Sequence, residues 1–221
     1  MMNTKEMIET LKEYNEFIRP YNDAINLVLI RLSSLDADYG LLHRHNPIHQ
    51  IIHRVKSLDS IFNKLAGRGY ETNLEYAREY LTDIAGVRVI TYYQQDVYEV
   101  VRALKSCLDV VKESDYIKEP KKSGYRSYHM IVVVPINYLK GVEYYPVEVQ
   151  IRTLTMDCWA NIEHQLHYKT LQDDFKGKIS EKFQQYSEEL NMLSLKMEAI
   201  YSEQNKRFEQ HTPFETKNNS E

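Results

Sequence analysis

The chain has few residues that could hold it together covalently and no segment suited to crossing a membrane. Only two of its 221 residues are cysteines, Cys107 and Cys158, and they lie far apart in the sequence. Their number and spacing exclude a disulfide framework and a cysteine-based metal site, and we expect a reducing, cytoplasmic environment. No apolar run approaches the roughly 20 residues of a membrane-spanning helix, and the charged N-terminus lacks the apolar stretch of a secretion signal.

The chain also lacks an excess of positive charge. Its formal net charge is −4, so the whole molecule is not built to bind nucleic acid, and such binding would need a local basic patch. Its 43% hydrophobic and 27% charged residues are typical of a globular protein. Because repeats and low-complexity linkers are absent, we expect one domain over residues 1–211, with its core at about 44–170 and a disordered tail at 212–221.

Hydrophobic spacing predicts three helices in the N-terminal part of the chain. Residues 7–20 predict a first helix that ends at its proline, and residues 25–35 predict a second. The Asn-Pro pair at 46–47 predicts the start of a short helix that carries His49 and His53 one turn apart. These histidines could form a metal-ligand pair, but without a third ligand a packed or solvated pair is the favoured interpretation.

Helices and strands alternate through the middle of the chain. The predicted elements are a helix near 73–81, a strand at 84–92, a helix at 96–108, strands near 109–117, 126–134 and 143–152, and a helix from about Thr155. A last helix carries an apolar seam for packing against a helix of the same chain or of a partner, at Ile179, Phe183, Tyr186, Leu190, Leu193, Met197 and Ile200. This order predicts one α/β domain with helical ends.

The segment after the histidines has the pattern of an anion-binding cradle. If it is extended, Arg54 and Lys56 point to the same side. Ser57 can then cap a helix on which Ser60 and Lys64 lie one turn apart. Two cations before a helix N-terminus, followed by a hydroxyl and a third cation, suit several phosphates. Taken alone, an ordinary amphipathic helix with a solvated basic face is the favoured interpretation.

Two predicted strands carry carboxylates that a plain sheet would not need. Asp83 stands at the start of one strand, and in another Glu148, Gln150 and Arg152 share a face. A carboxylate on an inward face is costly unless it is paired or holds a metal, so the two acids could together bind Mg²⁺, and one of them could take a proton. Surface acids on a half-exposed sheet are the competing interpretation. Arg88 could stack on a base through its guanidinium plane.

A glycine loop precedes the predicted strand at 126–134. Lys121, Lys122 and Arg126 surround Gly124 and Tyr125. Glycine allows a close turn of the backbone, the tyrosine offers a flat face for a base, and the cations suit phosphates. A tight hairpin turn with solvated lysines is the alternative.

Five motifs resemble, in order and spacing, the synthetase domain of the RelA/SpoT homologues: RVKSLDSIFNKL, TDIAGVRV, PKKSGYRSYH, VEVQIRT and WANIEH. The length and the EFIRPYNDAINLVLIRL segment are similar to the stand-alone small alarmone synthetases, the RelQ and RelP type. The resemblance covers roughly residues 14–200. It implies a nucleotidyltransferase-like mixed sheet flanked by helices. It also implies transfer of pyrophosphate from ATP to the 3′-hydroxyl of GDP or GTP, which releases AMP and makes ppGpp or pppGpp.

The resemblance further implies roles for single residues. It implies that Mg²⁺ is held by Asp83 and Glu148, with Glu148 also the candidate base, and that Tyr125 stacks on the acceptor guanine. The residues it implies for ATP are Arg54, Lys56, Ser60 and Lys64 on the phosphates and Arg88 on the adenine. Those it implies for the rest of the acceptor side are Lys121, Arg126, His129 and Gln150. A homotetramer is the implied assembly.

Two departures from the family pattern bear on the acceptor and on regulation. Seven positions before the lysine of the PK motif the family usually has a basic residue that helps to hold the 5′-phosphates of the acceptor, and here it is Ser114. The RelQ group binds pppGpp between subunits through lysines and an asparagine, and the matching positions here are Leu29, Ser33 and Asp157. Since these residues cannot replace the lost cations, we expect no activation by pppGpp.

Two other functions compete with alarmone synthesis. Toxic relatives of the family pyrophosphorylate the 3′-CCA end of tRNA, and Ser114 fits that acceptor because a tRNA end presents no free 5′-diphosphate. The acidic net charge argues against it, because tRNA affinity needs several phosphate contacts. The third function is a nucleotide-binding regulator without catalysis, against which the intact set of Arg54, Lys56, Asp83 and Glu148 argues.

Overall fold

The helices and strands follow one another in an α/β order. The fold is taken from a computed structural model that describes residues 4–43, 45–169 and 173–211, with side chains described within 8–42, 45–166 and 180–206. The elements in chain order are α1 (Thr4–His43), β1 (Ile48–Val55), α2 (Leu58–Ala66), α3 (Leu74–Tyr80), β2 (Ala85–Thr91), α4 (Gln94–Cys107), β3 (Asp109–Asp115), β4 (Tyr128–Tyr138), β5 (Gly141–Thr153), α5 (Leu154–Lys169) and α6 (Asp173–His211). The tail predicted at 212–221 lies outside the described residues.

The five strands form one mixed sheet in the order β1-β2-β5-β4-β3. The central pair, β2 and β5, is parallel, and the other neighbours are antiparallel. This confirms the expected α/β fold with a mixed sheet and helical ends. The strands and helices from residue 73 to residue 153 begin and end within a few residues of their predicted bounds.

One face of the sheet builds the hydrophobic core. Alternate residues of the central strands point to this face, which α1 and α4 cover. The strand residues on it are Val87, Val89, Met130, Val132, Val147, Val149 and Ile151. Because these positions alternate with charged and polar residues, the opposite face of the same strands carries charged and polar side chains.

The first two predicted helices are one, so the predicted end at Pro20 is wrong. Pro20 lies inside α1, a helix of 40 residues. A proline within a helix costs about 3 kcal/mol. Here the cost is offset because the residues around it, such as Phe17 and Tyr21, are buried in the core along with Pro20 itself.

The helix predicted from Asn46 is also wrong, because residues 48–55 form strand β1. These residues pair with β2 over most of their length, and Ile51 packs against the core. A β-branched run that can pair with a neighbouring strand outweighs the local Asn-Pro signal. The described residues contain no cluster of three or more His, Cys, Asp or Glu suited to a metal, so His49 and His53 gain no third ligand there.

No helix in the described ranges is long and apolar enough to cross a membrane.

The last helix, α6, packs on the domain through two buried serines and two half-buried residues of the predicted seam, Phe183, whose ring lies beside that of Trp159 on α5, and Leu190. Ser187 and Ser194 are buried on it, whereas the seam residues Tyr186, Leu193, Met197 and Ile200 are exposed. The side chain of Ile179 lies outside the described residues. Within the described part of the chain, most of the seam is therefore left without a helix to pack on.

Glu198 of α6 caps the beginning of α4. Its two carboxylate oxygens accept hydrogen bonds from the backbone N–H groups of Gln94 and Gln95, each at 3.0 Å. We expect Glu198→Ala to lower the free energy of unfolding by about 1 kcal/mol, the usual cost of losing a helix cap. Denaturant unfolding measures this change. Glu181→Ala, an exposed position on the same helix, is the control, and an equal loss in both variants would contradict the capping role.

Candidate active site

Strand register brings the predicted site residues onto the face of the sheet opposite the core. One row across the sheet joins Arg88 on β2, Gln150 on β5, His129 on β4 and Ser114 on β3, each paired with the next. Paired residues on neighbouring strands point to the same face. Glu148 lies one step along this face from Gln150. The structure thus brings together residues that the sequence predicted separately for ATP and for an acceptor.

Asp83 lies at the mouth of β2, between two lysines. Its Oδ2 atom accepts hydrogen bonds from Lys56, at 3.0 Å, and from Lys64. Burial alone would raise the pKa of Asp83, but the hydrogen bonds from Lys64 and Lys56 outweigh it and lower the pKa below its usual value. The carboxylate is therefore ionised at neutral pH, and the two predicted phosphate-binding lysines are held beside it.

Glu148 is also held as a carboxylate, on the floor of the site. Gln150 donates to its Oε2 atom at 2.9 Å, and the Nδ1 atom of His129 lies 3.5 Å from its Oε1 atom. Burial acts to raise the pKa of Glu148, but the interactions with His129 and Gln150 outweigh it, so the pKa is lowered. The negative charge of Asp83 opposes this lowering of the pKa.

These two carboxylates are the groups that could hold a divalent cation. Asp83 has a second buried oxygen, Oδ1, that has no hydrogen-bond partner among the described residues. A buried acceptor without a donor is costly, and a metal ion would satisfy it. Mg²⁺ is usually bound by one or two carboxylates together with waters and substrate phosphates, so a pair of acids fits it without a closed cage of protein ligands.

The glycine loop presents Tyr125 toward the same face. Gly124 has φ +92°, a conformation that glycine adopts without strain, and its N–H bonds the carbonyl of Lys121 at 2.8 Å. The ammonium group of Lys121 lies 4.6 Å from the ring centre of Tyr116 and 5.0 Å from that of Tyr125. The Tyr125 hydroxyl is 2.7 Å from His129 Nε2. Tyrosine, lysine and histidine of the predicted acceptor side are thus in contact.

Three predicted site residues lie at the margin of this arrangement. Arg126 donates to the carbonyl of Ile117 at 3.0 Å and lines a small cavity with residues of α5 and α6. The backbone N–H of Ser60 donates to the hydroxyl oxygen of Ser57 at 3.4 Å, which is the predicted cap of α2, and the Ser57 hydroxyl donates to the Ser60 hydroxyl at 2.8 Å. Arg54 is exposed on β1, and its positive charge contributes to lowering the pKa of Arg88.

Two residues with central positions were not predicted as site residues. Arg152 donates to the Tyr125 hydroxyl at 2.6 Å, and Asp157 of α5 accepts from Arg152 and from Arg88 at 3.2 Å each. Burial lowers the pKa of Arg88, Arg152 adds to this effect and Asp157 opposes it. The signal for Arg152 was present, because it shares a strand face with Glu148. The inward position of Asp157 depends on how α5 packs, which the sequence pattern does not show.

The back of the glycine loop rests on α6. The Ser187 hydroxyl donates to the carbonyl of Gly124, and Trp159 on α5 donates to the carbonyl of Phe183 at 2.9 Å. A Cβ atom at Gly124 would lie 2.8 Å from the Cβ atom of Ser187 and 3.0 Å from the Cα atom of Gln184. The loop therefore depends on a helix some 60 residues later in the chain, in addition to its own turn.

Comparison with known proteins identifies the family of this chain. A sequence profile described as "Region found in RelA / SpoT proteins" matches residues 53–173. The GTP pyrophosphokinase YwaC of Bacillus subtilis (strain 168) is 38% identical over 195 residues, which cover 87% of this chain and 92% of YwaC. The GTP pyrophosphokinase YjbM of the same strain is 35% identical over 198 residues, which cover 87% of this chain and 90% of YjbM.

A solved structure agrees with the sequence matches. The crystal structure of the small alarmone synthetase 1 from Bacillus subtilis bound to its product pppGpp has a TM-score of 0.77 and 34% identity to this chain. The match covers 87% of this chain and 98% of the other. The chain belongs to the RelA/SpoT family, and it matches nearly the full length of these relatives.

The contact between the glycine loop and α6 can be tested by two glycine substitutions. Gly124→Ala should lower the free energy of unfolding by more than the roughly 1–2 kcal/mol of placing a side chain at positive φ, because Ser187 and Gln184 must also move. Denaturant unfolding gives the value. Gly69→Ala is the control, since Gly69 also has positive φ, at +75°, but a Cβ there would meet nothing within 4 Å. Equal losses would contradict the close packing of α6 on the loop.

Proposed function

We propose that this protein transfers pyrophosphate from ATP to the 3′-hydroxyl of GDP or GTP, releasing AMP and making ppGpp or pppGpp. The relatives YwaC and YjbM, each matched over about nine tenths of its length, are GTP pyrophosphokinases. The small alarmone synthetase 1 of Bacillus subtilis has been crystallised with pppGpp. These similarities support the same activity here.

The observation that carries the proposal is the position of two carboxylates, Asp83 and Glu148, between two groups of residues that we propose bind different nucleotides. Around Asp83 lie the cations proposed for the ATP phosphates, and around Glu148 lie His129 and Gln150, proposed for the acceptor. The ATP side comprises Arg54, Lys56, Ser60, Lys64 and Arg88. The acceptor side comprises Lys121, Tyr125, Arg126, His129 and Gln150. Phosphoryl-type transfer asks a protein mainly for positioning and for neutralisation of charge, and this arrangement supplies both.

We further propose that Asp83 and Glu148 hold Mg²⁺, whose charge would neutralise the phosphate oxygens of ATP. The unpartnered Oδ1 atom of Asp83 supports this assignment. The bond between Asp83 and its two lysines would then be exchanged for bonds to the cation and the phosphates. Lys56 and Lys64 would turn from the carboxylate to the ATP phosphates.

In the proposed reaction the 3′-oxygen of the acceptor attacks the β-phosphorus of ATP. The bond from this phosphorus to the oxygen shared with the α-phosphate breaks, and AMP leaves with that electron pair. Glu148 is the candidate that takes the proton from the 3′-hydroxyl. Its carboxylate is free of protons at neutral pH, and His129 and Gln150, which lower its pKa, hold it in place on the site face.

The tRNA alternative finds no support. The matched relatives YwaC and YjbM are GTP pyrophosphokinases, and the net charge of −4 is unfavourable for binding a polyanion the size of tRNA. Ser114, which suggested a tRNA end, lies beside His129 in the register of the sheet.

We also propose that the protein works in the cytoplasm as a homotetramer. Its two free cysteines support a reducing compartment. The exposed seam of Tyr186, Leu193, Met197 and Ile200 on α6 supports pairing with a second copy, because this heptad spacing suits a helix-to-helix contact.

The activity and the role of Glu148 can be tested together. Purified protein with Mg²⁺ and labelled ATP is incubated separately with GDP, GTP and deacylated tRNA, and the products are separated by chromatography. We expect labelled ppGpp and pppGpp with the two nucleotides and no labelled tRNA.

We expect Glu148→Gln to reduce turnover by about 10²–10⁴-fold, the usual effect of losing a general base, while ATP still binds.

The matched control is Glu143→Gln, an exposed glutamate on the same strand β5. It should keep normal turnover. If the wild type labels only tRNA, the proposed acceptor is wrong. If Glu148→Gln retains near-normal turnover, Glu148 is neither base nor essential metal ligand.

Ser114 offers a test of the acceptor side. Ser114→Arg should lower the KM for GDP roughly threefold to tenfold, through a charge-assisted contact to the 5′-phosphates in a partly exposed setting, and leave the KM for ATP unchanged. Steady-state kinetics with each nucleotide varied in turn gives both values. Ser106→Arg, on the exposed side of α4, adds the same charge elsewhere and should change neither. A fall in the KM for ATP alone would show that Ser114 does not face the acceptor.

A further inference from the structure

Asp157 is a buried carboxylate with an unusual number of donors. It lies in the first turn of α5 and is 7% exposed. Its Oδ1 atom accepts from Arg88 and Arg152 at 3.2 Å each, and its Oδ2 atom accepts from Asn161 at 2.8 Å. A buried charge is retained only when it is paired, and here one carboxylate pairs with two guanidinium groups.

One of these guanidinium groups extends the contact to the glycine loop. Arg152 is itself buried, and its Nη2 atom donates to the Tyr125 hydroxyl at 2.6 Å and to Gln150 at 2.9 Å. Its guanidinium carbon also lies 5.0 Å from the centre of the Tyr125 ring. Arginine can serve Asp157, Gln150 and Tyr125 at once because its planar fork carries five donors.

The direction of the hydrogen bonds follows from the chemistry of arginine. Arg152 can only donate, so the Tyr125 hydroxyl oxygen accepts from it, which leaves the hydroxyl proton available for His129 Nε2 at 2.7 Å when that nitrogen is the acceptor. The proton of a neutral His129 is then on Nδ1, which faces Glu148 at 3.5 Å. Asp157 thus stands at one end of a chain of contacts that reaches Glu148.

The other guanidinium group connects Asp157 to the opposite side of the site. Arg88 lies on β2, next to Gln150 in the register of the sheet, and its side chain is about a quarter exposed, at 29%. It can therefore reach a ligand while Asp157 holds its inner end. Asp157 is therefore connected to one side of the site through Arg88 and to the Tyr125 side through Arg152.

We propose that Asp157 is a positioning residue for both nucleotides, which fixes Arg88 on the ATP side and, through Arg152, the ring of Tyr125 on the acceptor side. This inference rests on the proposed function, from which it takes the ATP side and the acceptor side. Asp157 itself touches neither nucleotide, and its effect on each passes through a different arginine.

The test uses Asp157→Asn, which keeps the shape of the side chain and removes its charge. We expect the KM for ATP and the KM for GDP to rise by about tenfold each, since a hydrogen bond to a charged group typically contributes that factor or more to an equilibrium constant. Cys158→Ser, at the exposed neighbouring position of α5, is the control and should change neither.

Two double variants separate positioning from a general structural effect. In the Tyr125→Phe background the hydroxyl that Arg152 holds is gone, so Asp157→Asn should add little to the KM for GDP but still raise the KM for ATP. In the Arg88→Ala background, Asp157→Asn should add little to the KM for ATP but still raise the KM for GDP. Such selective loss of additivity is expected only when the residue acts through those two partners. Equal, additive increases in every background would overturn the proposal.

A second variant covers the case in which Asp157→Asn does not fold. Arg152→Lys keeps a cation opposite Asp157 but cannot hold Tyr125 and Asp157 together, so it should raise the KM for GDP and leave that for ATP unchanged. No change in either KM would overturn the inference. If the wild type makes no product from ATP and GDP, the proposed function fails; if it is active and Asp157→Asn has normal KM values, the inference alone fails.

Discussion

A charged side chain that is buried on one face of a sheet needs a partner of opposite charge or a hydrogen bond, and the candidate site depends on these partners. Strand β5 turns Val147, Val149 and Ile151 to the core and Glu148, Gln150 and Arg152 to the site, so the same 13-residue strand supports both the fold and the chemistry. Desolvation alone would raise the pKa of its carboxylate, Glu148. Donors from the same strand and from β4 keep that carboxylate ionised.

The matched charges also prepare the site before any ligand binds. Each group is already held by a neighbour, as Asp83 is by its lysines and Tyr125 by Arg152 and His129. A site of this kind needs little reorganisation at the moment of reaction, which is where preorganised charge contributes most to a rate. The cost is that ligands must displace some of these internal bonds, above all those between Asp83 and Lys56 and Lys64.

Much of this site follows from local sequence, and the rest follows from distant contacts. The alternation around Glu148 predicts which side chains share a strand face, and the cap at Ser57 is visible from its neighbours. The strand at 48–55 was predicted as a helix because its pairing with β2 is not encoded locally. The inward position of Asp157 and the contact of Ser187 with the glycine loop depend on how α5 and α6 pack on the sheet. The spacing of hydrophobic residues in the sequence does not predict this packing.

A crystal structure of the protein with a non-hydrolysable ATP analogue, Mg²⁺ and GDP tests the central claim most directly. The account predicts that the guanine stacks on Tyr125, that the metal contacts Asp83 and Glu148, and that the acceptor 3′-oxygen lies within about 3.2 Å of Glu148, the reach of a general base. A guanine bound away from Tyr125, or a 3′-oxygen directed away from Glu148, would contradict it.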